Sequence, residues 1–253
     1  MESGSMNQYD QFSLDYHWLY SDNVLAGEPF LEQFANLLDS IPPNSRLLDC
    51  SCGIGVHAFA LARRGFSVSG ADSSPGMIAR AQERSEDPGT KVPFIVSTWQ
   101  ELPRAFDQEF DVAFCLGNSI GHCNGRQEMM SSFQGIRTIL KSNGMLVLDS
   151  RNWEKLHREK PRFTTMGVRI RNGIRCTPLY VRSFPSSLEE EHLIEVVFIF
   201  DDQRSVYERH YSIAYRPYGY TEICERLGEA GFTDIRSDFA EQKDLYTITA
   251  RNG

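Results

Sequence analysis

Residues 46–55 read RLLDCSCGIG, a short apolar run that leads into an acidic residue and two closely spaced glycines. The run predicts a buried strand over 46–50, and the glycines predict a turn where a ligand can approach the backbone. A helix predicted over 56–64 begins directly after the turn, so its first N–H groups face the same space. The stretch therefore predicts a ligand site at the carboxyl end of the first strand.

Strand and helix signals alternate outward from this stretch. We predict further strands over 67–72, 92–97, 110–116 and 145–149, and helices over 31–38, 75–84 and 127–140, the last closed by residues 142–144. Ser73 or Ser74 is the expected N-cap of the helix over 75–84. With two more strands near the end of the chain, the alternation predicts a doubly wound, mostly parallel seven-stranded α/β sheet. Ligands of such sheets bind beyond the carboxyl ends of the strands.

The pattern changes after about residue 160. Strands predicted over 166–183, 193–200 and 205–215 alternate in the antiparallel manner, and Asn172-Gly173 is a typical hairpin turn. A helix over 220–230 and strands over 232–239 and 245–250 then complete the parallel fold. We expect an N-terminal helical segment or lid (6–45), an α/β domain (46–155 and 219–253) and an inserted antiparallel β subdomain (156–218).

Composition excludes several classes of function. The 253 residues include 26 Lys plus Arg and 34 Asp plus Glu, and the net charge of −8 argues against nucleic-acid and anionic-membrane partners. No apolar run approaches the ~20 residues that cross a bilayer. Residues 1–5 resemble a cloning remnant and lack the features of a signal peptide, so we expect a natural start at Met6 and a cytoplasmic protein. The six cysteines have no zinc-ligand spacing, so we expect reduced thiols and no metal site.

Two acidic residues indicate the kind of ligand. Asp72 ends the second predicted strand, where a carboxylate accepts both hydroxyls of a ribose. Asp49, ahead of Gly53 and Gly55, would repel a pyrophosphate, which argues against a nicotinamide dehydrogenase and favours a cationic ligand. This combination resembles the class I S-adenosylmethionine-dependent methyltransferases, and it implies a Rossmann-like fold and S-adenosylhomocysteine as a product.

The resemblance extends to other residues around the expected cofactor. Trp99 is expected beside the adenine, with polar groups of Thr98 and Trp99 at its edge and Met77 on the other face. Core packing explains Trp99 equally well, and without the resemblance it is the favoured explanation of Met77. The remaining predicted cofactor contacts are Ser51, Ser73, Leu116 and Trp18.

Two further motifs indicate an acceptor. Residues 116–119 read LGNS with His122 following, and residues 149–153 read DSRNW. Both resemble the glycine N-methyltransferases, including the glycine/sarcosine enzymes of betaine and osmolyte synthesis. The resemblance implies that Gly117, Asn118 and Arg151 hold an amino acid, with Arg151 on its carboxylate. It also implies that Tyr20 and Tyr215 reach into the site.

The sequence departs from this family near the N-terminus. An arginine expected shortly after Tyr20, on the cofactor carboxylate, is absent, and Gly27 lies about there. Tyr16, His17 and Trp18 are the candidates that remain for this contact. His122 is more readily explained as a structural histidine than as a base.

Three functions stay open. The first is N-methylation of glycine, sarcosine or both, which Arg151 favours because it calls for an anionic substrate. The second is methylation of another small carboxylate-bearing acceptor, and the third is a non-catalytic regulator that binds S-adenosylmethionine. The partner is then a small amino acid, and both a monomer and a homo-oligomer are compatible with the sequence.

Overall fold

The computed structural model describes residues 8–84 and 91–253. Its strands are β1 (Arg46–Asp49), β2 (Ser67–Asp72), β3 (Phe94–Val96), β4 (Phe110–Cys115), β5 (Leu140–Arg151), β6 (Phe163–Thr165), β7 (Arg169–Arg171), β8 (Ile174–Ser183), β9 (His192–Asp201), β10 (Val206–Tyr215), β11 (Phe232–Ser237) and β12 (Leu245–Asn252). Its α-helices are α1 (Gln8–Phe12), α2 (Asp22–Leu25), α3 (Glu28–Gln33), α4 (Ala35–Ser40), α5 (Val56–Arg63), α6 (Pro75–Arg84), α7 (Leu102–Ala105), α8 (Arg126–Thr138), α9 (Trp153–Glu159) and α10 (Tyr220–Glu229). Three 3₁₀-helices are η1 (Tyr16–Leu19), η2 (Trp99–Glu101) and η3 (Ser119–His122).

The first sheet, sheet A, has seven strands within these residues, in the order β11-β12-β5-β4-β1-β2-β3. β1 pairs in parallel with β2 and β4, whereas β12 runs antiparallel to both β5 and β11. The predicted doubly wound, mostly parallel seven-stranded fold is confirmed.

Alternate residues of the central strands bury opposite faces of sheet A. Leu47 and Val147 pack in one core with Phe59 of α5, whereas Leu48 and Leu148 pack in the other with helices α8 and α10. A parallel sheet that is covered on both faces needs apolar residues at consecutive positions, which is why β1 and β5 have continuous apolar runs. The two cores leave the carboxyl ends of the strands as the open edge.

Several predicted boundaries were wrong. The single helix expected over 31–38 is two helices, because Phe34 leaves helical geometry (φ −102, ψ 13) between α3 and α4. The helix expected over 127–140 ends at Thr138, and β5 begins at Leu140 rather than at 145. Residues 142–144 lie inside β5, where Asn143 takes a positive φ of 61° and the register with β4 shifts.

The second sheet, sheet B, is the predicted antiparallel insertion. Its order is β10-β9-β8-β6, and β7 pairs with β8. Asn172 and Gly173 join β7 to β8 with φ values of 50° and 79°, as a tight hairpin turn requires. The sequence did not predict β6. No helix in the described part of the chain has the length and apolarity to cross a membrane.

The inner face of sheet B packs on the N-terminal segment. Phe12 and Trp18 share a core with Phe198 and Phe200 of β9 and with Trp153 at the start of α9. This core places α1, η1 and the end of β10 beside the open edge of sheet A.

Candidate active site

The glycine loop after β1 opens onto a cavity. Gly53 has a φ of +51°, and a Cβ placed on it would meet only the Tyr16 ring, at 3.9 Å. Its N–H donates to Asp72 Oδ2 at 2.8 Å, which holds the loop against the end of β2. Gly55, with a φ of +82°, faces the core instead, because a Cβ there would lie 2.8 Å from Phe59 and 3.0 Å from Phe94.

Asp72 lies at the junction of the loop and α6. Its Oδ1 accepts the Ser74 N–H at 2.9 Å while Oδ2 accepts that of Gly53, so each oxygen keeps a lone pair for a ligand. Burial raises the pKa of Asp72, and the two N–H groups partly offset this. Ser74 is the N-cap of α6, because its Oγ accepts the Met77 N–H at 3.1 Å.

The cavity has a volume of about 470 Å³. Predicted site residues on its wall are Tyr20, Ser51, Gly53, Asp72, Ser73, Met77, Thr98, Trp99, Leu116 and Gly117. Tyr16, one of the candidates for the contact to the cofactor carboxylate, is also on the wall. Residues on the wall that were not predicted as site residues include Gln8, Tyr9, Cys50, His57 and His122. The glycine loop, the ends of β2 to β4 and the N-terminal segment therefore enclose one space.

Asp49 lies beneath the glycine loop rather than on the cavity wall. It is fully buried, and neither carboxylate oxygen makes a hydrogen bond of normal geometry within residues 8–84 and 91–253. Burial raises its pKa to about 7, and the neighbouring N–H groups of Ser51 and Ala58 only partly oppose this. A positive charge in the cavity would favour the ionised form.

Hydrogen bonds join the ends of β4 and β5. Asp149 accepts the N–H groups of Asn118, at 2.6 Å, and Gly117, at 3.1 Å. Asn118 takes a left-handed conformation (φ 60°), and its Oδ1 accepts the Arg151 N–H at 2.8 Å. The Asn118 Nδ2 makes no hydrogen bond to any other described residue, so this donor is available to a ligand.

Arg151 has an unpaired guanidinium. Among the residues that the structure describes, none gives this group an ion pair or a hydrogen bond. Burial raises the pKa values of Tyr20, Tyr180 and Tyr215, and the Arg151 charge lowers each of them in part. The charge of the guanidinium therefore acts on three tyrosine hydroxyls.

A cluster of tyrosines completes this region. Tyr20 donates to the Tyr16 hydroxyl at 2.9 Å, and the hydroxyls of Tyr9 and Tyr215 are 3.2 Å apart. We call Tyr9, Tyr16, Tyr20, Tyr180 and Tyr215 the tyrosine cluster. Its members come from three separate parts of the chain, and three of them also line the cavity.

Comparisons with known proteins agree with this geometry. Residues 47–144 match the family described as a methyltransferase domain. A Geobacillus sp. (strain WCH70) protein named "Putative methyltransferase" is 30% identical over 202 residues, which cover 78% of each chain.

The chain belongs to the S-adenosylmethionine-dependent methyltransferases.

Further comparisons concern relatives named for their substrates and a solved structure of the same fold. A glycine/sarcosine N-methyltransferase of Aphanothece halophytica is 28% identical over 198 residues, covering 78% of this chain and 70% of that protein. Three others named for glycine align with 44% of this chain and only 39 to 42% of their own length. An amino pentose methyltransferase of Micromonospora echinaspora, solved with its cofactor bound, superposes with a TM-score of 0.70 at 18% identity over 100% of both chains.

The cavity fits the cofactor of this methyltransferase family. Asp72 keeps lone pairs for ribose hydroxyls, and Gly53 leaves space where any side chain would intrude. The buried Asp49 carboxylate suits a ligand that carries ammonium and sulfonium charges, since these would stabilise its ionised form. When bound, S-adenosylmethionine supplies a methyl group on a positively charged sulfur.

The side chains of Thr98 and Trp99 do not make the predicted hydrogen bonds to the adenine, because they bond to other protein groups. Trp99 donates its indole N–H to the Cys50 carbonyl at 2.8 Å, and Thr98 donates its hydroxyl to Glu101 at 2.9 Å. These side-chain donors are occupied within the protein, so the expected side-chain hydrogen bonds to the adenine edge are not supported. The Trp99 side chain itself remains on the wall.

The prediction that Trp18 contacts the cofactor was wrong. It is 7% exposed and packs against Phe200, with 5.5 Å between ring centroids, while Arg171 lies 5.2 Å above its ring. It belongs to the core of sheet B and does not line the cavity. The same segment instead presents Tyr9 and Tyr16, which stand seven residues apart. Tyr9 lies on α1 and Tyr16 on η1, so no periodic pattern within one helix could have predicted their shared face.

Proposed function

We propose that this methyltransferase transfers a methyl group to the amine of glycine, of sarcosine, or of both. The unpaired Arg151 guanidinium carries the proposal, because a partly buried cation that makes no ion pair with the described residues suits an anionic substrate. The names of several relatives support the same acceptors.

A second arginine adds to the positive charge of this region. Arg182 is 4% exposed and lies 5.3 Å above the Tyr180 ring. Its Nη1 donates to Thr164 Oγ1 at 2.6 Å, but no carboxylate within the described residues pairs with it. Burial lowers the pKa of Arg182, and the nearby Arg151 charge lowers it further. Two neighbouring arginines that make no ion pair within the described residues favour a carboxylate-bearing acceptor over a neutral one.

Each side chain has a distinct task in this proposal. Arg151 holds the carboxylate through two parallel N–H···O bonds, which fixes the amino acid at the end remote from the reacting nitrogen. Asn118 has its Oδ1 occupied, so its Nδ2 is expected to donate to the carboxylate as well. The tyrosine hydroxyls then orient the amine, and aromatic faces stabilise the positive charge near it. Alignment of the nitrogen lone pair with the methyl group is the main catalytic contribution.

The proposal is tested with Arg151→Lys and Arg151→Met. Removing one partner of a desolvated charge pair costs roughly 2–5 kcal/mol, so kcat/KM for sarcosine should fall by about 30-fold or more in Arg151→Met. Arg151→Lys keeps the charge but loses the bidentate geometry, so an intermediate loss is expected. Titration calorimetry should give cofactor affinities within about twofold of wild type, because Arg151 acts on the acceptor.

Arg175→Lys is the matched control, since Arg175 is exposed on β8. Products from glycine, sarcosine and dimethylglycine are identified separately by mass spectrometry. An equal loss of cofactor affinity in Arg151→Met would contradict the assignment of Arg151. A wild-type protein that binds the cofactor but methylates none of the three would indicate another carboxylate-bearing acceptor.

A further inference from the structure

The outer face of sheet B is more apolar than a sheet surface that faces only solvent. Successive side chains of a strand point to opposite faces, and Cys176 of β8 and Phe198 of β9 belong to the core on the inner face. An antiparallel sheet with one solvated face normally presents polar residues on that face. On β8 and β9 several outward positions are instead aliphatic, namely Leu179, Val181, Leu193, Val197 and Ile199.

These side chains form one continuous surface across three strands. Phe163 of β6 lies opposite Val181 of β8, and Leu179 lies opposite Val197 of β9. Phe163 is 64% exposed and Ile199 is 37% exposed, because the N-terminal segment packs on the other face of the sheet. We call this surface the outer patch, and it consists of Phe163, Leu179, Val181, Leu193, Val197 and Ile199.

Polar and charged side chains surround the outer patch. On the β10 side, His210 Nε2 lies 3.2 Å from Glu208 Oε1, and Ser212 donates its hydroxyl to Glu195. At one end of the strands, Arg175 of β8 lies opposite Asp201 of β9. An apolar centre inside a polar rim is the usual anatomy of a protein–protein interface. The rim has charges of both signs, whereas the centre has none.

The size of the face also matches a protein interface. β8, β9 and β10 have ten residues each, and the face is four strands wide. It therefore measures about 33 Å by about 19 Å, or about 600 Å². Specific interfaces bury about 600–1,000 Å² on each partner, so the face is large enough for a folded partner.

We propose that the outer patch binds the outer patch of a second copy of this chain, related by a two-fold axis. Two sheet faces pack on each other through interdigitated aliphatic side chains, and a two-fold contact requires only that one surface be complementary to itself. A rim with both signs of charge allows pairing across such an axis. The uncharged centre gives an oppositely charged macromolecule nothing to recognise.

The dimer affects the sheet that carries part of the acceptor region. Tyr180 and Arg182 alternate with Leu179 and Val181 along β8, so a partner on the outer face would leave this strand buried on both faces. Burial of both faces fixes the register of a strand. The melting temperature of the protein should consequently rise with protein concentration, because the second copy binds only the folded chain.

Sedimentation velocity of the full chain tests the interface. Wild type at about 50 μM should sediment as a particle of twice the 28.8 kDa chain mass and dissociate on dilution. Ile199→Lys and Phe163→Lys should each weaken dimerisation by about 100-fold or more, since the two-fold axis places two unpaired charges in the apolar centre. Val96→Lys is the matched control, because Val96 is 51% exposed on β3 of sheet A, and this variant should dimerise like wild type.

Two measurements on wild type distinguish a lost interface from a misfolded variant. Hydroxyl-radical footprinting should show Phe163 and Ile199 protected when the protein is concentrated from about 1 to about 50 μM, and Val96 unchanged. Each copy has a net charge of −8, so their repulsion is screened by salt. Dimerisation should therefore strengthen between about 0.05 and about 0.3 M NaCl, whereas binding of an oppositely charged partner would weaken.

Three results would overturn the proposal. The first is a wild-type protein that stays monomeric at every concentration. The second is a dimer that both Ile199→Lys and Phe163→Lys leave intact, which would place the contact elsewhere. The third is a monomer that co-sediments with phosphatidylcholine vesicles unless Phe163 is changed to Lys, which would make the patch a lipid-contact surface. None of these results bears on the proposed methyl transfer, which is measured separately.

Discussion

At the scale of single residues, Asp49 shows how burial changes chemistry. Its position at the end of an apolar strand was evident from the sequence, and so was the preference of a carboxylate for a cationic ligand. The sequence did not reveal that both oxygens would lack normal hydrogen bonds beneath the loop. That arrangement raises the pKa to about 7, so the charge of Asp49 depends on what the cavity contains.

The predicted consequence is a pH-dependent stability that Asp49→Asn removes. Because the pKa rises from 3.8 in the ordinary carboxyl to about 7 in the fold, the folded protein holds a proton that the unfolded chain releases. The free energy of unfolding of the ligand-free protein therefore decreases by about 1.4 kcal/mol per pH unit from this group between the two pKa values.

Thermal unfolding at several pH values measures this effect. Ligand-free Asp49→Asn should be more stable than wild type above about pH 7 and similar to it near pH 4, yet it should bind S-adenosylmethionine more weakly. Equal pH dependence in the two proteins would mean that Asp49 ionises freely in the fold.

At the scale of elements, a glycine sets the distance between α8 and η2. A Cβ on Gly135 would lie 2.1 Å from the Trp99 carbonyl oxygen, so the helix packs directly on the backbone that carries Trp99. Gly228 is also within a helix, α10, but a Cβ there would meet only Ile235 at 4.0 Å. The two positions differ in packing and not in helix propensity.

Gly135→Ala is expected to destabilise the protein and to move Trp99. Overpacking of this kind costs about 1–3 kcal/mol, and a displaced Trp99 should weaken cofactor binding as well. Gly228→Ala should stabilise the protein by about 0.5–1 kcal/mol, since alanine lowers the entropy of the unfolded chain. Chemical denaturation and cofactor titration measure both effects, and a neutral Gly135→Ala would mean that α8 can shift without cost.

Elements were predictable where a periodic apolar pattern coincides with burial. The strands around Leu47 and Val147 follow from their apolar runs, and the turn at Asn172 follows from its dipeptide. The break at Phe34 and the bulge at Asn143 could not be predicted from the sequence, because packing against distant strands determines them. Trp18 was assigned to the cofactor for the same reason, since helices this short have no face until the core of sheet B forms around them.

At the scale of the whole molecule, the N-terminal segment joins the two sheets across the cavity. Asp10 accepts from Ser74 Oγ at 2.6 Å at the start of α6. On the other side, Asp15 is 3% exposed and accepts from Arg209 at 2.8 and 2.9 Å and from Tyr211 at 2.6 Å on β10. Tyr9 and Tyr16 of the tyrosine cluster lie directly beside these two contacts, one residue before Asp10 and one residue after Asp15.

Asp15→Asn is expected to loosen this segment. Hydrogen bonds to charged groups contribute roughly 1.5–3 kcal/mol, and half-exposure of Arg209 reduces the value here. Hydrogen exchange over residues 8–20 should quicken, and affinities for cofactor and acceptor should both fall. Asp22→Asn is the control, because the Asp22 side chain is 88% exposed in its ion pair with Arg171. Unchanged exchange in Asp15→Asn would show that apolar packing alone holds the segment.

The pairing of β12 with β5 also matters while the protein is being synthesised. Leu245 lies opposite Arg151, and the whole of sheet B is encoded between these two strands. A ribosome therefore produces β5, with its apolar run, well before the strand that covers its edge. During that interval β5 is an open template for strands of other nascent chains. Slow elongation through sheet B should thus favour aggregation, and a chaperone that shields the β5 edge should raise the yield of folded enzyme.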